Sequence, residues 1–165
     1  MLRLRITTAV ALALWALAPA QAPTAEPATT PDTVLFVCEH GSVKSLLAKL
    51  LFERAAAREG LKVHAVSRGI SPDAEVPDWM RAALRGDGFA IGQWRPTALS
   101  PADIHSAYRV VSFDVALPPD TDAQPTPERW DGLPSVSEDY LTGREAIAAR
   151  IDELVRDLKR ALEAS

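Results

Sequence analysis

Cys38 is the only cysteine of the chain, and seven residues, Glu39-His40-Gly41-Ser42-Val43-Lys44-Ser45, separate it from an apolar-periodic segment. A thiolate is a nucleophile, a lysine six positions on supplies a fixed positive charge, and a nearby hydroxyl can donate a hydrogen bond to sulfur. One cysteine cannot close an internal disulfide. It is therefore a buried apolar residue, an intermolecular linker or a reactive thiol, and position must decide. The run Val34 to Val37 ahead of it reads as a strand buried on both faces. A loop between such a strand and a helix turns the backbone N–H groups of Glu39 to Ser45 into one concavity. That cradle suits an anion, and the positive end of the helix dipole reinforces it. The same field favours thiolate over thiol, so Cys38 is expected to be a nucleophile. Gly41 suits a left-handed turn in so tight a loop. Ser45 is placed to donate to the sulfur. Glu39, His40, Gly41, Ser42 and Val43 are the expected lining for a bound oxyanion, with Lys44 as its cation.

The elements that must hold this loop alternate strand and helix. Residues 44–58 put Leu47, Leu50, Leu51 and Ala55 on one helical stripe, and Gly60 supplies the stop. Leu61–Ser67 reads as a second strand. A helix over "VPDWMRAALRGDG" has Pro77 near its start and Gly86 and Gly88 past its end. Ser100 caps a short helix that begins at Pro101. Tyr108–Asp114 reads as a third strand, and "ERWDG" adds a short last one. From Thr142 onward Ile147, Ile151, Leu154, Val155, Leu158 and Leu162 keep helical spacing. Strands alternating with helices give right-handed βαβ units. The expected fold class is α/β, a three-layer sandwich around a central parallel sheet of about four strands. In such sheets the functional loops lie beyond the carboxyl ends of the strands, which is where Cys38 falls. His64 and His105 lie on a predicted strand and helix, apart from His40, so neither a metal nor a cofactor is expected.

A length of 165 residues, with 47% hydrophobic and 24% charged, fits one soluble domain with a sizeable core, assigned to residues 32–165. Residues 1–20 differ. Arg3 and Arg5 precede Ile6–Ala18, an uncharged apolar stretch of 13 residues. That is short for a membrane span. Ala18 and Ala20 offer the small residues of a secretory cleavage site. A signal peptide cut after Ala20 is the expectation, with an uncleaved anchor as the alternative. Residues 21–31 read as a disordered spacer, and the location as periplasmic or secreted. Without Arg3 and Arg5, 16 of the 18 basic residues face 22 acidic ones, a net charge of about −6. That balance argues against nucleic acid as a partner, and a cleaved chain would keep no stable membrane association.

"VLFVCEHGSVKS" resembles the phosphate loop of the low-molecular-weight protein tyrosine phosphatase superfamily, which includes related arsenate reductases. Their signature is Cys, five residues, Arg, then Ser or Thr. The resemblance continues through "AVSRGISPDAEVPDWMRAALRGDGFAIGQWRPTALS", "YRVVSFD" and "WDGLPSVSEDY", over roughly residues 32–160. It implies the phosphotyrosine phosphatase I-like fold and a phosphate-containing or other oxyanion substrate. The implied activity is phosphate monoester hydrolysis through a cysteinyl-phosphate on Cys38. His40 resembles the histidine of arsenate-reductase loops, either bracing the loop or acting directly. Two features depart from the pattern. Lys44 stands where the family has arginine, keeping the charge and losing the planar fork. The Asp-Pro pair of the late loop, whose aspartate protonates the leaving oxygen, is absent. Asp131 is the preferred substitute, Asp139 the second, and solvated or helix-capping roles the alternative for both. The resemblance thus also leaves open an oxyanion- or phosphopeptide-binding module with weakened turnover. It leaves open, too, an arsenate reductase that depends on an external thiol, because this chain has no second cysteine.

Overall fold

The computed structural model describes residues 33–118 and 126–164. The expected signal peptide and spacer lie outside the described residues. β1 (Thr33–Cys38) leads through the cysteine loop into α1 (Lys44–Arg58), and β2 (His64–Gly69) follows. After it come α2 (Asp78–Gly86), α3 (Pro101–Ser106), β3 (Arg109–Ser112), β4 (Glu128–Arg129) and α4 (Tyr140–Glu163). The four strands run parallel in the order β2-β1-β3-β4. The chain leaves β1 to one side for β2 and returns across it to β3, so the topology reverses at the carboxyl end of β1. That reversal opens the crevice in which open α/β sheets bind ligands.

Alternation along β1 sorts the core into its two halves. Val34, Phe36 and Cys38 face a cluster with Leu47, Phe52, Met80, Ile147 and Ile151, while Leu35 and Val37 face a second one with Ile104 and Val110. Helices therefore cover both faces, as expected of a central β1 buried on each side. α1 has the bounds its leucine stripe predicts, and Gly60, at φ +69°, follows its end. The Ser100–Asp103 capping box starts α3 with Pro101 as its first residue. β2 lies further along than expected, because its register is set by pairing with β1, from Thr33 with His64 to Cys38 with Gly69. β3 is shorter than the Tyr108–Asp114 run, since Asp114 turns to φ +52° and leaves the sheet. Trp130 is buried edge-on against Phe113 at 5.4 Å and beside Phe36 at 6.2 Å, which pins the segment after β4 under the sheet end. No helix among the described residues is long and apolar enough to cross a membrane.

Candidate active site

Cys38 is the last residue of β1 and is only 6% exposed. The chain curls back over it, so that the Gly41 N–H donates to Sγ at 3.2 Å. Ser45, in the first turn of α1, places Oγ 3.0 Å from the same sulfur. Behind it the Ser67 hydroxyl, on β2, donates to Ser45 Oγ at 3.0 Å and lies 3.3 Å from the Gly41 carbonyl. These hydroxyls are buried, so their bonding is mutual rather than with solvent. The start of α1 carries no side-chain cap and no acid in its first turn. Its opening N–H groups are left for another acceptor, and the dipole there favours an anion.

Two glycines allow the curl. Gly41 takes φ +68°, and a Cβ on it would meet Gly69 N at 2.9 Å. A Cβ on Gly69 would lie 2.8 Å from the His40 carbonyl carbon. The residues after Gly69 then tie the loop down: Ile70 N–H to the Cys38 carbonyl at 3.1 Å, Ser71 N–H to Glu39 at 2.8 Å, and Asp73 N–H to His40 at 3.1 Å. Asp73 also accepts from the Ser42 hydroxyl at 2.5 Å, and His40 Nδ1 stands 3.6 Å from its other oxygen. The same Nδ1 lies 3.4 Å from the Ser71 carbonyl oxygen, and the His40 side chain stays 61% exposed.

Above the sulfur is a cleft of about 510 Å³. Cys38, Glu39, His40, Ser42, Val43 and Lys44 line one side, and Asp73, Pro77 and Trp79 form part of the rim. Phe113–Val115 and Ser135–Ser137 complete the lining. Of the residues expected from the sequence, Gly41 contributes its N–H to the sulfur rather than surface to the cleft. Val136 is seated by Gly143 of α4, where a Cβ would meet Val136 Cγ2 at 2.8 Å. A larger groove of about 680 Å³ runs between α1 and α4. Paired charges such as Lys159–Glu59 line it, and no nucleophile does.

Lys44 lines the cleft and has a partner there. Its ammonium donates to Asp114 Oδ2 at 2.5 Å. Asp114 follows β3 and lies at the same end of the sheet as Cys38. The Gly132 N–H donates to its other oxygen at 2.8 Å. Reciprocally, the Asp114 N–H donates to Asp131 Oδ1 at 3.1 Å, while Arg129 Nε holds Asp131 Oδ2 at 2.8 Å. Burial works to raise the Asp114 pKa, but hydrogen bonds from Lys44 and Gly132 and the charges of Lys44 and Arg129 hold it below the usual carboxylate value. Asp131 has both oxygens engaged and is not among the residues lining the cleft. Asp139 caps α4, accepting from the Thr142 N–H at 3.1 Å and the Thr142 hydroxyl at 2.7 Å. Asp114 is not among the residues the sequence pattern singles out, although its signal is there: a carboxylate directly after an apolar strand, at the sheet end that carries Cys38. His64 and His105 lie on β2 and α3, away from the loop. Among the described residues no three His, Cys, Asp or Glu side chains gather to hold a metal ion.

No curated protein matches the chain. Solved structures do. A thioredoxin-dependent arsenate reductase of Corynebacterium glutamicum is 24% identical with a TM-score of 0.62, the match covering 82% of this chain and 65% of that one. An arsenate reductase in a phosphate-binding state is 22% identical at TM-score 0.63, over 77% and 98% of the two chains. A low molecular weight protein tyrosine phosphatase from Streptococcus pyogenes is 13% identical at TM-score 0.60, over 80% and 97%. At such identities these likenesses establish the fold. The family follows from the sequence model for low molecular weight phosphotyrosine protein phosphatase, which matches residues 33–118 and so takes in the cysteine loop, its glycine clamp and the strand before Asp114. The chain belongs to the low molecular weight phosphotyrosine protein phosphatase family.

Proposed function

We propose that the chain hydrolyses a phosphate monoester, aryl phosphates such as phosphotyrosine included, through a cysteinyl-phosphate on Cys38. One observation carries the reading: Cys38 Sγ sits at the floor of a cleft, hydrogen-bonded by Gly41 N–H and Ser45, at the uncapped start of α1. In the first step the sulfur attacks phosphorus, the S–P bond forms and the bond to the leaving oxygen breaks. Loop N–H groups and Lys44 take the charge of the equatorial oxygens. Water then attacks phosphorus, the S–P bond breaks and phosphate departs, while Ser45 donates to the departing sulfur. The experiment is a stopped-flow burst with p-nitrophenyl phosphate. A nitrophenolate burst stoichiometric with protein, lost in Cys38→Ser, is expected, and equal turnover in that variant overturns the reading.

The Lys44–Asp114 pair favours a second reading, an oxyanion-binding module with little turnover, because the cation meant for substrate is already engaged. Phosphate protection of Cys38 from iodoacetamide without any burst would select it. Arsenate reduction would need an outside thiol, since this chain holds one cysteine, and arsenate-dependent oxidation of an added thiol tests it. Arg3, Arg5 and the apolar stretch 6–18 support a site of action beyond the inner membrane. An N-terminus beginning at Gln21 in the exported fraction is the expected result.

A further inference from the structure

Resting on the hydrolysis reading, we infer that Asp114 is the acid that protonates the leaving oxygen, and that it becomes one when Lys44 leaves it for the substrate. The family's aspartate-proline acid is absent from this chain, so some other carboxylate in the cleft must do that work. The described lining offers Glu39, Asp73 and Asp114. Glu39 is exposed, and Asp73 accepts from the Ser42 hydroxyl while its N–H holds the His40 carbonyl, a brace for the loop. Asp114 lines the cleft and accepts directly from Lys44. Its backbone sits at φ +52°, a conformation uncommon outside glycine, asparagine and aspartate. Gly132 and Asp131 on the segment after β4 fasten that conformation from both sides.

The groups facing Asp114 are Lys44 from α1, and Asp131, Gly132 and Arg129 from the β4 end. Lys44 and the Gly132 N–H favour the ionised form of Asp114. An entering phosphoryl dianion competes for the same ammonium, the only lysine or arginine group among the described residues that line the cleft. When Lys44 turns to the equatorial oxygens, Asp114 loses its counter-ion and gains a dianion as neighbour. Both changes favour its protonated form, and it takes up a proton from solvent as the ester binds. In the first step that proton passes to the leaving oxygen as its bond to phosphorus breaks, releasing the neutral alcohol or phenol. In the second, the Asp114 carboxylate removes a proton from the water that attacks the cysteinyl-phosphate, which restores the acid.

The test compares wild type with Asp114→Asn and Asp114→Gly, both of which tolerate a positive φ and so preserve the loop. Turnover is measured on phenyl phosphate, a poor leaving group, and on p-nitrophenyl phosphate, a good one. The expected loss is about 100-fold on phenyl phosphate, the scale of a general acid, and under about tenfold on the nitrophenyl ester. A merely structural role would depress both esters alike. In parallel, inorganic phosphate should protect Cys38 from iodoacetamide at lower concentration in Asp114→Asn, because the anion no longer displaces a carboxylate. Equal losses on the two esters, no loss on phenyl phosphate, or unchanged phosphate protection would overturn the inference and leave the hydrolysis reading standing. Absence of any Cys38-dependent turnover in wild type would instead overturn the hydrolysis reading, and the acid role with it.

Discussion

Lys44→Arg is the substitution whose outcome the geometry constrains most tightly. Lysine presents three N–H groups on one nitrogen, and before the ester binds one of them is on Asp114 at 2.5 Å. When the ammonium turns from Asp114 to the substrate, its N–H groups diverge tetrahedrally and cannot meet two oxygens of a phosphoryl group in one plane. A guanidinium that makes the same turn has five donors in a planar fork and holds two equatorial oxygens side by side. One added charge-assisted hydrogen bond that strengthens in the transition state is worth about 1.5–3 kcal/mol. That corresponds to roughly 10- to 100-fold in rate. The Lys44 side chain is 23% exposed, so solvent screens part of the gain and the lower end applies, about tenfold in kcat/KM. The assay is steady-state hydrolysis of p-nitrophenyl phosphate, with Cys38→Ser as background and thermal unfolding to verify the fold. A change of less than about twofold, or a fall in kcat/KM at unchanged Tm, would refute the claim that missing bidentate contact limits this site.

Gly69→Ala should lower activity about 100-fold although Gly69 does not itself line the cleft, because its Cβ would lie 2.8 Å from the His40 backbone and displace the loop. The overpacking should also cost about 1–3 kcal/mol of stability, read as a lower Tm. Ser45→Ala should slow the second step more than the first, since the departing sulfur loses a donor 3.0 Å away. Cysteinyl-phosphate trapped by acid quench would then accumulate, and an unchanged steady-state fraction would contradict it. Stability should fall in acid. Burial tends to raise the Asp87 pKa, but the Tyr140 hydroxyl at 2.6 Å and Arg144 Nε at 2.5 Å hold it below its unfolded value. A depressed folded value means the contribution is complete above the unfolded pKa of about 3.9 and is lost as pH drops through the folded value. Tm should therefore be level from pH 7 to 5 and decline below about pH 4. Asp87→Asn should lower Tm at pH 7 and shrink that decline.

The strand, loop and helix around Cys38 were legible because each has a local cause: an apolar run, a glycine turn, a leucine stripe and a stop at Gly60. β2 was displaced along the chain because its limits come from pairing with β1, which no local pattern encodes. β3 was overrun at its end because a left-handed turn at Asp114 looks, in one dimension, like one more residue of a strand. The same turn hid Asp114 as a site residue. Asp131 falls in the right stretch of chain, yet both its oxygens are taken by the Asp114 N–H and by Arg129. Direction of a side chain depends on the neighbouring loop, and here two loops from different strands fix each other.

The Lys44–Asp114 pair also governs how a phosphate finds the cleft. With its ammonium already matched by a carboxylate, and with Glu39 and Asp73 nearby, the described side chains at the mouth carry no net positive charge to draw dianions from a distance. Long-range capture is weak, and attraction begins only within the Debye length of about 8 Å at physiological ionic strength. Encounter is left to diffusion and to whatever carries the phosphate, so added salt should hasten capture by this acidic protein rather than slow it.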